Sequence, residues 1–275
     1  MIEIPAQGAA HFASDLHLSE HTPKTLEAFE HWIASVAQPQ SLVFLLGDVF
    51  EVWCGDDHDD EVPHRVARAT RAARQAGARV FFMHGNRDFL IGERFAGDGD
   101  FELLPDPEFV QTQGGIVLIT HGDQLCTDDK AYQQFRQLSR DETWQADFLA
   151  KPRSQRLAIA QGIRTESKTH KSNTAMAIMD VNAQAVKQAY AGRWPDGYFV
   201  GKCHTILHGH THRCAVHTAE SPLAAPKAIS QEGTIRDGMR IVLPDWNYDT
   251  PNQQSAKGGY LTLKHSGEFQ LTVFR

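Results

Sequence analysis

Five short apolar runs within the first 212 residues each end in side chains able to hold a metal ion, and this recurrence limits the fold more than any other feature. The runs are His11-Phe-Ala-Ser-Asp15-Leu-His17, Leu42-Val-Phe-Leu-Leu-Gly47-Asp48, Val80-Phe-Phe-Met-His84-Gly85-Asn86-Arg87-Asp88, Ile116-Val-Leu-Ile-Thr-His121-Gly122-Asp123 and His204-Thr-Ile-Leu-His208-Gly209-His210-Thr211-His212. Continuous apolar runs of this length read as strands covered on both faces, with polar loops after them. In the last run His210 and His212 stand two residues apart. On an extended backbone alternate side chains share a face, so both histidines are expected to point into one volume at a strand end. A single His-x-His pair suits a hydrogen-bonded histidine equally well. Five such endings in one chain point to a metal site.

A chain of 275 residues with 41% hydrophobic content holds one large domain, or a domain with an insertion. Its net charge of -7 argues against a general nucleic-acid binder. Cys54, Cys126, Cys203 and Cys214 show no C-x-x-C spacing, so a reducing cytoplasm is expected and Cys126 reads as structural. The first residues have neither a basic nor an apolar segment of the signal-peptide kind. No apolar run approaches the ~20 residues of a spanning helix, so any membrane contact is expected to be peripheral.

Along the chain, residues 9–16 read as a strand. Leu26, Phe29, Ile33 and Val36 follow at helical spacing, and Leu42 to Leu46 is the next strand. The acidic stretch Gly55 to Glu61 reads as a solvated loop, and Pro63 as the first residue of a helix ending at Gly77. Gly97 to Pro107 reads as a linker and Ala219 to Asp237 as a polar connection. Gly259 to Lys264 with Glu268 to Phe274 reads as a closing hairpin.

From Asp128 to Ala191 the period changes to helical, which suggests a helical insertion at 126–200 within a core formed by 1–125 and 201–275. The insertion carries 11 Lys and Arg against 8 Asp and Glu. Lys151, Arg153, Arg156, Arg164, Lys168 and Lys171 form either a solvated helix face or a basic rim for phosphate or anionic lipid. Phe135, Leu138, Trp144, Phe148, Leu149, Met176 and Met179 form either the insertion's own core or an apolar groove.

Asp15, His17, Asp48, Asn86, His121, His210 and His212 offer oxygen and nitrogen without thiolate. That suits manganese, iron, zinc or cobalt more than calcium or a structural zinc. Asp48 is the natural bridge, because one carboxylate can give an oxygen to each of two ions. A two-ion site of this kind activates water and neutralises phosphate oxygens in an in-line displacement. His11, His84 and His208 lie inside the runs and read as supporting residues, and Asp88 and Asp123 as groups that orient loops or ligands.

Asp15-x-His17, Gly47-Asp48, Gly85-Asn86-x-Asp88, His121-Gly122 and Gly209-His210-x-His212 resemble, in order, the five motifs of the calcineurin-like metallophosphoesterases. The resemblance implies an α/β fold, an αββα sandwich, with one metal on Asp15, His17, Asp48 and His212 and a second on Asp48, Asn86, His121 and His210. Most of that superfamily has a histidine after the Asn, and this chain has Arg87. A guanidinium is a poor proton donor and a good two-pronged clamp on phosphate, which favours a diphosphate whose leaving group needs little protonation. Gly85-Asn-Arg-Asp-Phe89, the insertion and Ile178-Met-Asp-Val-Asn182 further resemble the UDP-2,3-diacylglucosamine hydrolase family of bacterial lipid A biosynthesis.

That resemblance implies attack of water on the α-phosphorus, with release of UMP and 2,3-diacylglucosamine 1-phosphate. Asp48, Asn86, Arg87 and His210 would be catalytic, and manganese is the expected ion. Substrate contacts fall by position on Asn86, Arg87, Asp129, Ser167, Lys171, Thr174 and His210. Thr174 stands where a lysine is common, and Lys171 brings the cation one helical turn away. A monomer without nucleic-acid partners, peripheral to the inner membrane, is expected. A phosphodiesterase or nuclease of the same fold, or a catalytically silent interaction module, are the alternatives. The acidic body and Arg87 count against the first, and the full set of seven ligands against the second.

Overall fold

The run Leu42–Leu46 is a strand buried at every residue, and layers build outward from it on both sides. The computed structural model describes residues 1–173, 180–195, 197, 201–218, 230–251 and 257–274, apart from the side chains of 166–173 and 230. Its first half comprises β1 (Ile2–Glu3), β2 (Ala9–Ala13), α1 (Pro23–Val36), β3 (Leu42–Leu46), α2 (Glu61–Gln75), β4 (Arg79–Met83), α3 (Glu93–Gly99), β5 (Glu102–Leu104), β6 (Glu108–Thr112) and β7 (Gly115–Thr120). Four helices follow, α4 (Lys130–Ser139), α5 (Glu142–Leu149), α6 (Arg153–Asn173) and α7 (Ala183–Tyr190). The chain then returns to strands with β8 (Thr205–His208), β9 (Ala215–His217), β10 (Ser230–Thr234), β11 (Met239–Val242), β12 (Gly258–Lys264) and β13 (Glu268–Phe274).

Among the described residues these strands make a six-stranded sheet, β1-β6-β7-β8-β11-β9, and a seven-stranded sheet, β10-β13-β12-β2-β3-β4-β5. Period-2 alternation in β3 sends Phe44 to the inter-sheet core, and Val43 and Leu45 to the core beneath α1, α2 and α3. Phe12, Phe44 and Phe81 are in-register partners on three parallel strands, and their rings stack at 4.7 Å from one to the next. On the far side Leu118 and Ile206 pack with Ala185 and Ala189 of α7. The layer order is therefore helix, sheet, sheet, helix, a mixed α/β sandwich.

β2, β3 and β4 are mutually parallel, as are β7, β8 and β11. The loops after β2, β3, β4, β7 and β8 carry the five motifs. Two of these loops touch closely. A Cβ on Gly47, whose φ is +82°, would sit 2.6 Å from the Gly85 backbone, so the tips of β3 and β4 meet only because both residues are glycine.

Several sequence expectations are corrected. The Gly97–Pro107 stretch contains the end of α3 and edge strand β5, not a linker. β5 is too short and half-exposed to show a pattern, and α3 is stabilised from a distance, because Asp56 accepts from Gly92 N and Phe95 N at 3.0 Å each. The acidic Gly55–Glu61 stretch is not a purely solvated loop, since Asp57 pairs with Arg156 and Asp60 with Arg153. Pro63 is the third residue of α2 rather than the first. The polar connection at 219–237 contains β10, and its residues 219–229 lie outside the described residues.

Phe44→Ala should destabilise the fold by about 3–5 kcal/mol in urea unfolding, since it opens the middle of the three-ring stack. A loss below about 1 kcal/mol would show that the sheets close without it.

Candidate metal centre

At the strand ends the backbone takes up conformations that side chains rarely tolerate. Asp15 (φ 56°), His17 (50°), Asp48 (54°), His210 (67°) and His212 (55°) are all left-handed. The only other non-glycine residues of this kind among those described are Gln40 and Asp100, so this backbone strain concentrates on the candidate ligands. One expectation changes with it. β8 stops at His208, and His210 and His212 are placed by a turn with positive φ rather than by strand alternation. They consequently enter different clusters, one of Asp15, His17 and His212 and one of Asp48, His121 and His210, with the donor atoms of each within 4.8 Å of one another.

In the first cluster the Asp15 Oδ2 accepts from Ser14 Oγ (2.6 Å) and His210 N (2.9 Å). Its Oδ1 is buried without a hydrogen bond, 3.3 Å from His212 Nε2. The Nε2 atoms of His17 and His212 face each other at 3.2 Å. Their outer nitrogens face carboxylates, His17 Nδ1 at 2.9 Å from Glu51 Oε2 and His212 Nδ1 at 3.4 Å from Asp245 Oδ2. Carboxylates on the far nitrogen orient an imidazole and raise its basicity toward a metal.

In the second cluster His121 is fully buried and its Nδ1 donates to Leu46 O (2.9 Å). Its Nε2 lies 3.1 Å from Asn86 Oδ1 and 3.7 Å from Asp48 Oδ1. Asn86 Oδ1 also meets His210 Nδ1 at 2.9 Å. Asp48 stands between the clusters, with Oδ2 4.0 Å from His17 Nε2. Asp88 fixes the loops as expected, accepting from Gly85 N (2.8 Å), Asp48 N (3.2 Å), Val49 N (2.7 Å) and Phe50 N (3.3 Å).

The field at this point is that of a cation site. Burial lowers the basicity of His17, yet Glu51, Asp48 and Asp15 reverse that and raise it. Burial acts the same way on His121, and Asp48, Asp15 and Asp123 push it up to about 9. Asp15 is held far below the usual carboxylate range despite its burial, by the His212 imidazole 3.3 Å away and the other histidine charges around it. Groups that favour protons this strongly favour a divalent ion in the same place. An orphaned buried oxygen, facing imidazole nitrogens and the absence of thiolate among the seven donors all fit two divalent metal ions.

Beside the clusters opens a cavity of about 660 Å³, lined by Asn86, Arg87, Asp129, His210, Glu51, Arg164 and apolar groups that include Trp53, Phe89, Phe135, Trp144 and Phe148. Arg87 N donates to Asp48 Oδ1 (2.8 Å), while its Nε is buried without an acceptor. Asp129 caps α4 by accepting from Tyr132 N (3.0 Å). Of the other expected contacts, Ser167 and Lys171 lie on α6 with side chains outside those described, and Thr174 lies outside the described residues. Met176 and Met179 do as well. Leu138 and Leu149 are exposed and do not line the groove. The basic rim is partly neutralised, since Arg153, Arg156 and Arg164 pair with Asp60, Asp57 and Glu51.

The supporting histidines behave as read. His11 meets Thr262 Oγ1 (3.0 Å), His84 donates to Ile91 O (2.8 Å) and His208 to Gly209 O (2.8 Å). Asp123 accepts from Tyr132 Oη and Arg136 Nε. Sequence reading passed over Glu51 and Asp245, and named Arg164 only as part of a basic rim. Glu51 carried a signal, three residues beyond Asp48 in the same loop, whereas Asp245 approaches His212 only through the fold.

A calcineurin-like phosphoesterase family model matches residues 11–214. The UDP-2,3-diacylglucosamine hydrolase of Bordetella pertussis is 40% identical over 269 residues, covering 97% of this chain and 96% of that protein. The enzymes of that name from Aromatoleum aromaticum and Serratia proteamaculans are 41% and 40% identical, covering 88% and 86% of this chain and 91% of each relative.

Chelator-treated protein should melt at a lower temperature than protein given excess divalent metal, because an ion at 100 times its Kd adds about 2.7 kcal/mol to the folded state. Equal melting temperatures by calorimetry would contradict the cation-site reading.

Proposed function

The chain belongs to the calcineurin-like phosphoesterases and, among them, to the UDP-2,3-diacylglucosamine hydrolase family, and on that footing we propose that it cleaves the diphosphate of UDP-2,3-diacylglucosamine, giving UMP and 2,3-diacylglucosamine 1-phosphate. The observation that carries the proposal is Arg87, whose buried Nε lacks an acceptor at the boundary between the two donor clusters and an aromatic-lined cavity. A nucleotide-linked lipid needs both environments at once, a polyanion site and an apolar chamber.

Asp15, His17 and His212 would hold one divalent ion and His121, Asn86 and His210 another, with Asp48 shared between them. The chemistry such a pair supplies is activation of water and neutralisation of phosphate oxygens in an in-line displacement. Arg87 grips the phosphate oxygens with paired donors, and its backbone N–H keeps the Asp48 carboxylate turned toward the site. Asn86 and His210, in contact with each other and on the cavity wall, orient the α-phosphate beside them. The leaving group is a phosphate monoester that is stable as an anion, so no side chain is required to protonate it.

Trp53, Phe89, Phe135, Trp144 and Phe148 receive the acyl chains and keep bulk water from the diphosphate. Asp129, Ser167, Lys171 and Thr174 belong to the same substrate path, and 126–200 forms the lid. Manganese suits the mixed oxygen and nitrogen donors. Peripheral contact with the inner-membrane surface is supported by Leu138, Leu149, Leu157 and Ile159, exposed on α4, α5 and α6. No helix among the described residues is long and apolar enough to cross a membrane. The protein would act there as a monomer without nucleic acid.

Manganese-dependent UMP release from the lipid nucleotide should fall by at least about 100-fold in Asp48→Ala and in Arg87→His, the range expected for loss of a group stabilising transition-state charge. In oxygen-18 water the label should enter UMP. Label in the lipid phosphate would place the attack on the other phosphorus, and faster cleavage of an aryl phosphodiester than of the lipid nucleotide would replace the substrate assignment.

A further inference from the structure

Helix α6 of the insertion is seated on the acidic segment after β3. Arg153, Arg156 and Arg164 lie on one face of it, within about 80° of arc at 100° per residue. Arg153 pairs with Asp60, and Arg156 pairs with both oxygens of Asp57 and donates to Cys54 O. The third pair differs from the other two. Arg164 Nη2 lies 2.5 Å from Glu51 Oε1, and the other oxygen of that carboxylate lies 2.9 Å from His17 Nδ1.

Glu51 is therefore shared between a candidate metal ligand and the insertion. Its ligand side is rigid, because His17 N donates to Asp48 O (3.0 Å), Leu18 N to Val49 O (2.8 Å) and Glu51 N to Leu18 O (3.1 Å). This short ladder sets His17 and Glu51 side by side. The other side depends on where α6 lies.

We propose that Glu51 is a positioning residue that couples the metal site to the helical insertion, its Oε2 orienting His17 and its Oε1 anchoring Arg164, so that divalent-metal binding and docking of α6 strengthen each other. The inference rests on the two-ion reading of the site. With a divalent ion held on its Nε2 side, His17 would present a more polarised Nδ1–H to the Glu51 Oε2 that lies 2.9 Å away. A Glu51 fixed in that pose offers Arg164 a fixed partner, and by linkage an α6 held by Arg164 raises metal affinity in return. The sign of the effect is diagnostic. Deleting a cation near a metal site raises affinity by simple electrostatics, so a fall on deleting Arg164 reports positioning.

The test is calorimetric titration of manganese into the chelator-treated full-length chain, with hydrogen exchange of α6 amides measured with and without the metal. Glu51→Gln should weaken affinity about 10- to 100-fold. Arg164→Met should weaken it about three- to tenfold and Arg164→Lys should restore most of that, while the double variant Glu51→Gln/Arg164→Met should bind no more weakly than Glu51→Gln alone. Manganese should slow exchange in α6 of the wild type but not of Glu51→Gln or Arg164→Met. Unchanged or higher affinity in Arg164→Met, additive losses in the double variant, or equal metal protection in all forms would overturn the coupling. Absence of saturable manganese binding by the wild type would instead overturn the two-ion reading and the inference with it.

Discussion

The position of the Asp48 carboxylate is the constraint on which the rest depends. Its oxygens lie within 3.7 Å of His121 Nε2 on one side and 4.0 Å of His17 Nε2 on the other, so one side chain serves both donor clusters. Nothing in Asp48 itself achieves this. The residue sits in a left-handed conformation at the end of a fully buried strand, and Asp88 holds its backbone N–H while Arg87 N holds its Oδ1. The aromatic stack of Phe12, Phe44 and Phe81 keeps the parent strands in register, so that the loop tips stay at one level. Hydrophobic packing fixes the scaffold, and backbone hydrogen bonds to buried carboxylates convert it into a site.

Burying this much negative charge is costly unless cations accompany it. The protein offers histidines on the inside of the site and arginines on the outside. The two sets meet at Glu51, which faces both His17 and Arg164. Imidazole nitrogens face Asp15 and Asp48, whereas guanidiniums of α6 face Glu51, Asp57 and Asp60. Arg87 belongs to neither set, because its buried Nε lacks an acceptor, and that unmet donor supports the phosphate-binding role proposed for it. The candidate ligands, Arg87 and α6 thus lie around one cavity, with Glu51 between His17 and Arg164.

Much of the candidate site is legible in the sequence. The seven donor residues could be named because each follows a buried strand, and buried strands are the most readable elements of an α/β chain. The reason given for His210 and His212 was the wrong one, though. Strand alternation would have put both in one place, and the positive-φ turn sends them to separate clusters. Such a turn leaves no periodic trace in sequence. The acidic segment from Gly55 to Glu61 is the largely exposed loop its sequence suggests, but its pairing with Arg153 and Arg156 is not legible, as these lie about 100 residues away on a helix whose sequence equally suits a solvated face. Edge strand β5 and helix α3 went unseen because each is too short for a pattern. Tertiary pairing decided all of these, and no local window contains it.

The most direct measurement is the number of divalent ions bound by the purified chain, read by equilibrium dialysis against manganese for the wild type and for Asp48→Asn. Because one carboxylate is placed to serve both clusters, the account predicts two ions per wild-type chain and a weakening of both, together, in the variant. A single ion in the wild type, or an Asp48→Asn protein that loses one ion and keeps the other at undiminished affinity, would contradict it.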